Sequence, residues 1–526
     1  VVLGWLTFTA VSERRAADEA RVAAEQALQL ADQRRQESEE LVEFMLGDLR
    51  DRLEPVGRLD VLDAVGAKAL DYYAAQDQDR LGSDSLGRRA RALHLLGEIQ
   101  DLKGDSEAAL ALFRQAAEST GKLVQAEPRN QQRIFDHAQS EFWVGMVATQ
   151  RGDYPEARDA FNRYLQMAQR LVALDADNPD WRLEVFYAYQ ALGGLAMERE
   201  AWEQAQGHFR DAFDELGRLD ASSDQHLYEF ASLHSWLSNV YGMQKKFRLA
   251  RIHNGHEIGV WERQLDLDPQ DYVALRQLVV ARRGAAQLAL VEGNTDSALQ
   301  ALQKLTGMAD RLIGHEADNT LNLQQQVHVT KELAEVYLLR GDTLQAGQNV
   351  GACLNQVKGL VELDPTNVIW RVELEWECRY LDARLAHLHQ DVARAQLQLD
   401  SYYDELLSHY QNGSDNKDMI LLWGNTNLLL GNIVYTQGRP AVARDYWRQS
   451  KAALGGEKEA LEPGRLVSLI AVLNRLGEQA RAEELVAYLS SKDYRHPEFI
   501  RARVSPGVSA AEIRTKTLKK KEDLNG

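Results

Sequence analysis

The stretch RGDYPEARDAF, residues 151–161, reads as the end of one helix, a tight turn and the start of an amphipathic second helix. Near-copies recur down the chain: KGDSEAALALF (103–113), REAWEQAQGHF (199–209), EGNTDSALQAL (292–302), RGDTLQAGQNV (340–350) and QGRPAVARDYW (437–447). Aligned on the glycine, the turn falls at Gly104, Gly152, Glu200, Lys245, Gly293, Gly341, Gln390, Gly438 and Gly477, at intervals of 48, 48, 45, 48, 48, 49, 48 and 39 residues. Five residues on, all nine copies carry alanine: Ala109, Ala157, Ala205, Ala250, Ala298, Ala346, Ala395, Ala443 and Ala482. Four residues further comes a mostly large apolar side chain: Phe113, Phe161, Phe209, Leu302, Val350, Leu399, Trp447 and Val486, with Asn254 the exception. Seven residues before the turn the side chain is small (Gly97, Gly145, Gly193, Ser238, Ala286, Ala334, Ala383, Gly431), and only Ile470 breaks the rule.

These columns have a mechanical reading. A small residue on a first helix facing an alanine on a second lets the two helices cross closely, and the apolar residue one turn later fills the groove between them. A glycine at the turn suits a left-handed capping position, and the Asp, Asn or Ser that follows can cap the second helix. The longer connections between copies (AEPRN, DADNPDW, DLDPQDY, EADNT, ELDPTN) are acidic with Asn or Pro, which stop one helix and start the next. Each unit is therefore a hairpin of two helices of about 20 residues, roughly 30 Å each. Stacked hairpins bury their shared faces and form an α-solenoid.

Composition agrees. At 526 residues the chain exceeds one ordinary core, and its 44% hydrophobic content with only ten prolines suits long uninterrupted helices. The net charge of −18 argues against nucleic acid, whose phosphates are bound by basic surfaces. Cys353 and Cys378 are the only cysteines; two cannot supply a metal cluster or a disulfide framework, and they do not identify the compartment.

A small residue, a Gly-Asp turn, alanine and then phenylalanine form a pattern that resembles the tetratricopeptide repeat, with Gly145, Gly152, Asp153, Tyr154, Ala157 and Phe161 matching best. The resemblance covers residues 85–500 and implies an all-α, right-handed solenoid of about nine antiparallel hairpins that binds protein or peptide in its concave groove. The usual period of about 34 residues is exceeded here by some four helical turns shared between two helices, which leaves the superhelix pitch open.

Ahead of the repeats, residues 1–11 (VVLGWLTFTAV) read as the C-terminal end of a transmembrane helix, with Trp5 near the interface and Arg14 and Arg15 among the headgroups. Residues 12–53 read as one long charged helix or stalk, whose later part carries a stripe of Leu41, Phe44, Met45, Leu49 and Leu53. Residues 54–84 supply a degenerate capping hairpin and linker, and 501–526 a basic disordered tail. This arrangement resembles the C-terminal parts of bacterial membrane-anchored signalling proteins. In those, a kinase or STAND-type NTPase module precedes a membrane helix, a juxtamembrane helix and a tetratricopeptide-like array. The resemblance implies a single-pass inner-membrane protein with any catalytic domain upstream of Val1; the side of the membrane that the solenoid faces stays open.

No phosphate loop, nucleophile elbow, Cys-x-x-Cys or His-Glu-x-x-His appears, so neither catalytic residue, metal nor cofactor is expected. His253, His256 and Glu257 share a helix face but fall on the second helix of the fourth copy, where packing explains them. In tetratricopeptide arrays the first helix of each hairpin lines the groove, with the residue after the small position and its neighbour one turn earlier pointing inward. That register selects Asn239, Arg283, Gln287, Lys331, Glu335, Tyr380, Arg384 and Asn432 as the candidate groove. Asn239 and Asn432 resemble the family's asparagines that hydrogen-bond a peptide backbone. Arg283, Lys331 and Arg384 suggest an acidic peptide or a C-terminal carboxylate. The expected function is a non-catalytic protein- or peptide-binding scaffold or sensor arm; the alternative is a structural solenoid that self-associates into a homo-oligomer.

Overall fold

The computed structural model describes residues 83–503 apart from 103–104, 220–223, 318, 364–366, 368–369 and 412–416, together with parts of 20–42 and 64–72. Helix follows helix with no strand among the described residues. The hairpins are α1 (Ser83–Leu102) with α2 (Ser106–Ala126), α3 (Gln131–Gln150) with α4 (Tyr154–Leu174), and α5 (Pro179–Glu198) with α6 (Trp202–Leu216). Next come α7 (Asp224–Met243) with α8 (Phe247–Leu267), α9 (Tyr272–Val291) with α10 (Thr295–His315), and α11 (Thr320–Arg340) with α12 (Thr343–Leu363). The last are α13 (Trp376–Leu388) with α14 (Val392–Gln411), α15 (Lys417–Thr436) with α16 (Pro440–Leu454), and α17 (Pro463–Leu476) with α18 (Gln479–Ser490), closed by a short α19 (Pro497–Ala502). Each helix packs on its neighbours in sequence, so the chain is a tetratricopeptide-like solenoid, with nine hairpins among the described residues.

The aligned turn residues share one backbone conformation. Gly152, Gly293, Gly341, Gly438 and Gly477 have φ of 73–81°, and Glu200, Lys245 and Gln390 take the same left-handed region at 58°, 57° and 62°. Glycine adopts this conformation without steric cost, while the three other residues hold it at some expense to their Cβ. Gly104 lies outside the described residues. Where Asp or Asn follows the turn it caps the second helix: Asp153 accepts from Glu156 N at 3.2 Å, Asn294 from Ser297 N at 3.1 Å and Asp391 from Arg394 N at 3.1 Å. The handover segments cap the first helices in the same way, through Asn130, Asn178, Asp271, Asn319 and Asn367.

The alanine column is the seam of each hairpin: eight of the nine are 0% exposed and Ala482 is 2%. The small column packs on this seam, with Ser238 donating to Ala250 O and Ala286, Ala334 and Ala383 sharing clusters with Ala298, Ala346 and Ala395, and where it is glycine it also faces the aromatic column. A Cβ on Gly97, Gly145 or Gly193 would lie 2.5–2.6 Å from the rings of Phe113, Phe161 and Phe209 respectively, and one on Gly431 would collide with Trp447. The ring thus occupies the space the missing side chain leaves, and the pair is a knob in its own hole.

Two features were not visible in the repeat pattern. Residues Trp370–Glu375 form a π-helical entry into α13, and Cys353 on α12 is disulfide-bonded to Cys378 on α13, both wholly buried, with Cα atoms 6.0 Å apart. The solenoid also meets itself. Lys417, at the start of α15, lies 3.4 Å from Glu198 and donates to Met197 O at the end of α5. Lys245 Nζ donates to Glu459 O at 2.7 Å, Arg495 N to Val291 O at 2.8 Å and Arg501 to Leu339 O at 2.5 Å. The contacts join segments three to five hairpins apart, so the superhelix closes on itself over that number of units.

The described parts of 20–42 and 64–72 are helical, and Glu39, 0% exposed, accepts from Ser85 at 2.8 Å and Arg88 at 2.9 Å on α1. The expected membrane-helix end at 1–11 lies outside the described residues, as do Phe44, Met45, Leu49 and Leu53 of the stripe and the tail from 504 on. No described helix is long and apolar enough to cross a membrane.

Candidate functional site

Self-contact encloses part of the concave groove. A cavity of about 670 Å³ lies between the inward faces of α9, α11, α13, α15 and α17 and the C-terminal segment 494–502. Its walls follow from register: a repeat near 48 residues places the same face of each first helix toward the axis. Gln287, Glu335 and Arg384, each one residue past the small position, line it together with Arg283, Lys331 and Tyr380 one turn earlier. Six of the eight expected groove residues are therefore gathered in one site. Asn239 and Asn432 are not: Asn239 is exposed on α7, ahead of the enclosed stretch, and Asn432 sits on α15 away from the cavity with its Oδ1 buried and unpartnered.

The charge of the site differs from the sequence expectation. Arg283, Lys331 and Arg384 do not present a free cationic stretch, because each meets a carboxylate of this chain. Arg283 donates to Glu332 Oε1 at 2.7 and 3.1 Å, with Gln287 Nε2 adding a third bond to the same oxygen at 3.1 Å. Lys331 is paired with Glu377, one hairpin on, and Arg384 with Glu498 from α19. Burial works against the charge of Lys331 and Arg384, yet the facing carboxylates hold both above their ordinary values. Burial likewise opposes the Glu498 charge, and Arg384 outweighs it to hold that carboxyl below its usual range. The pairs form a ladder along the groove, from α9 to α11, α11 to α13 and α13 to α19. Removing one member would leave the other as an uncompensated charge in a partly dry site.

Glu335 differs from its neighbours. It has no hydrogen-bond or ion-pair partner among the described residues, and burial, with Glu498 adding repulsion, pushes its carboxyl up to about 7. Glu332, only 8% exposed, leaves its Oε2 without a hydrogen-bond partner at the cavity wall. Tyr380 stands beneath the Arg384 guanidinium at 5.8 Å, and Leu421, Leu422, Leu428 and Val467 supply an apolar floor. Glu332, Glu377, His328 and the terminal pair Tyr494 and Glu498 were missed by the sequence reading. Glu332 directly follows Lys331, and His328 and Glu377 lie three residues before Lys331 and Tyr380 on the expected helices; the last two come from beyond the repeats.

The histidines of α7 and α8 pack against one another. His234 Nδ1 lies 2.8 Å from His253 Nδ1, and its ring centroid is 4.8 Å from that of His256. Burial and the two neighbouring rings push His234 down to about 4. Glu257, 5% exposed, is pushed up to about 7 by burial. No group of three metal-ligating side chains suited to a metal ion occurs among the described residues.

No family model and no curated protein matches the sequence. Among solved structures, a tetratricopeptide repeat protein from Parabacteroides merdae ATCC 43184 overlays 63% of this chain and 98% of its own at 13% identity and TM-score 0.33. A signal-transduction ATPase of the STAND type with a tetratricopeptide repeat sensor, from Pyrococcus horikoshii, overlays 73% of this chain and 52% of its own at 13% identity and TM-score 0.36. A Rap protein complexed with competence and sporulation factor covers 88% of this chain and 100% of its own at 11% identity and TM-score 0.39. At these TM-scores the fold assignment rests on the hairpin pairing, columns and turns of this chain itself.

Proposed function

We propose that the chain is a non-catalytic scaffold that holds a segment of a protein or peptide in its concave groove. The observation that carries this is the half-open cavity of about 670 Å³, bounded by inward faces of five successive first helices and presenting an apolar floor beneath polar walls. A concave site with a few placed polar groups over an apolar base is what a bound side chain needs. The ion-pair ladder fixes its walls before any partner arrives, which lowers the ordering cost of binding.

The groove belongs, in this reading, to the sensor arm of a larger membrane-anchored bacterial signalling protein, as the sequence ahead of the repeats implies. The Cys353–Cys378 disulfide supports placing the solenoid on the extracytoplasmic side, since such bonds persist in oxidising compartments.

The test is selection of random displayed peptides on the 526-residue chain, followed by titration of the winners against Ser468→Trp. Ser468 borders the cavity and takes no part in the ladder, so an indole there fills the site without breaking an ion pair. Peptide affinity should fall at least about tenfold with the thermal midpoint unchanged. Peptides that bind this variant as tightly as the parent lie elsewhere, and the groove assignment is then wrong.

A further inference from the structure

Five cations and six carboxylates border the cavity, yet their charges are not equally engaged. Three of the cations, Arg283, Lys331 and Arg384, are held by Glu332, Glu377 and Glu498. Arg501 is turned to the Leu339 carbonyl, and Arg475 lies exposed over the Trp447 ring at 5.9 Å. On the acidic side, Glu335 and Asp418 have no ion-pair or hydrogen-bond partner among the described residues. Glu332 adds a deeply buried oxygen that receives no donor.

We propose that the cavity takes a basic side chain of the bound segment, an ammonium or guanidinium group held between Glu335 and the unpartnered oxygen of Glu332. This rests on the groove being the binding site, and it gives the partner a charge opposite to the one the three cations alone suggest. The chemistry is direct. A buried carboxylate oxygen without a donor carries an unrecovered desolvation cost, and a ligand N–H is the group that removes it. Glu332 and Glu335 are three residues apart on α11 and so share a face, a separation that a planar guanidinium or a three-donor ammonium can bridge. Leu421, Leu422 and Leu428 offer the methylene stem an apolar bed. The net charge of −18 would draw such a partner in from a distance.

The charges around Glu335 give a second readout. Lys331 and Arg384 favour its ionisation, while burial, Glu498 and Glu377 oppose it, and the balance leaves the carboxyl at about 7 in the empty groove. Part of the population is thus protonated at neutral pH, and an arriving cation lowers the pKa and expels that proton.

The experiment repeats peptide selection on the full chain and on Glu335→Gln, an isosteric change that leaves every ladder pair intact. The winners on the parent should carry Lys or Arg at one fixed position. They should bind Glu335→Gln about tenfold or more weakly, and selection on that variant should lose the basic preference. Calorimetry at pH 7 in two buffers of different ionisation enthalpy should show protons released on binding to the parent and none to the variant. Winners that are acidic or charge-neutral at every position, or basic winners indifferent to Glu335→Gln, overturn the inference while leaving groove binding standing. A chain that selects no peptide at all removes both.

Discussion

Gly193 and Gly194 are adjacent on α5, yet they face opposite surroundings, and alanine at each separates packing from helix propensity. Either substitution gains roughly 1 kcal/mol from replacing glycine in a helix interior. At Gly194 nothing lies within 4 Å of the new Cβ, so that gain should appear almost whole. At Gly193 the Cβ would stand 2.5, 2.8 and 2.9 Å from three atoms of the Phe209 ring, which is itself 0% exposed. Ordinary carbon contacts are near 3.5–4.0 Å, so the ring must retreat by about 1 Å into a wall of Ala196, Ala212 and Leu216. Overpacking of this kind costs about 1–3 kcal/mol, and a shift this large belongs at the upper end. The net expectation is destabilisation of about 1–2 kcal/mol for Gly193→Ala against stabilisation of about 1 kcal/mol for Gly194→Ala. Because a repeat array need not unfold in one step, the measurement is hydrogen exchange of the α5 and α6 amides by mass spectrometry, which reports local opening. Gly193→Ala in the Phe209→Leu background should lose most of its penalty. Equal stabilisation by both alanines would remove the glycine-ring account of the hairpin seam.

Other outcomes follow from the same structure. Gln390→Gly should slow exchange in α13 and α14, stabilising them by about 1 kcal/mol, since φ of 62° strains any residue with a Cβ. The Cys353–Cys378 bond spans 25 residues, so its reduction should cost roughly 3 kcal/mol and accelerate exchange in α12 and α13. Protein alkylated without reduction and then weighed intact should carry no label on either cysteine. For pH, the α7–α8 hairpin combines opposite signs. His234, held near 4 when folded against 6.5 when free, contributes stability above pH 6.5 that is lost as pH falls toward 4. Glu257, held near 7 against 4.5, contributes stability below pH 4.5 that is lost as pH rises through 7. Protection of this hairpin should therefore rise as pH drops through 7, stay level between about 6.5 and 4.5 where the two effects cancel, and fall below that; Glu257→Gln should remove the rise and start the fall already at about 6.5.

The sequence made the hairpin legible because one backbone requirement recurs. Glu200, Lys245 and Gln390 could be placed at left-handed turns by register alone, although none is a residue that prefers that region. The inward faces of α9, α11 and α13 were legible for the same reason: a near-constant period keeps one face toward the axis. Register says which way Lys331 points but not what it meets. Its partner Glu377 lies 46 residues on, and the Arg283 partner Glu332 lies 49 on, distances that become neighbours only for a particular superhelical twist. Asn239 lies outside the cavity because closure, not periodicity, selects which hairpins wall it. Glu498 belongs to no repeat at all. The cysteine pair escaped notice because a separation of 25 residues does not by itself say that two helix faces meet.

An open array of hairpins has a stability close to the sum of its units and their nearest-neighbour interfaces, and it frays from either end. The contacts of Lys417, Lys245, Arg495 and Arg501 join residues 220, 214, 204 and 162 positions apart, with 204 the difference between 495 and 291. Among the described residues the last hairpin is thus tied back to earlier ones: loosening the segment after α18 also withdraws support from the ends of α9 and α11, four and three hairpins inward. Folding of the chain must then pay a long-range loop-closure entropy late, once the intervening hairpins have formed. The third to ninth hairpins should therefore melt as one cooperative block, while the first two, which lie outside the ring, should keep the graded behaviour of a linear repeat.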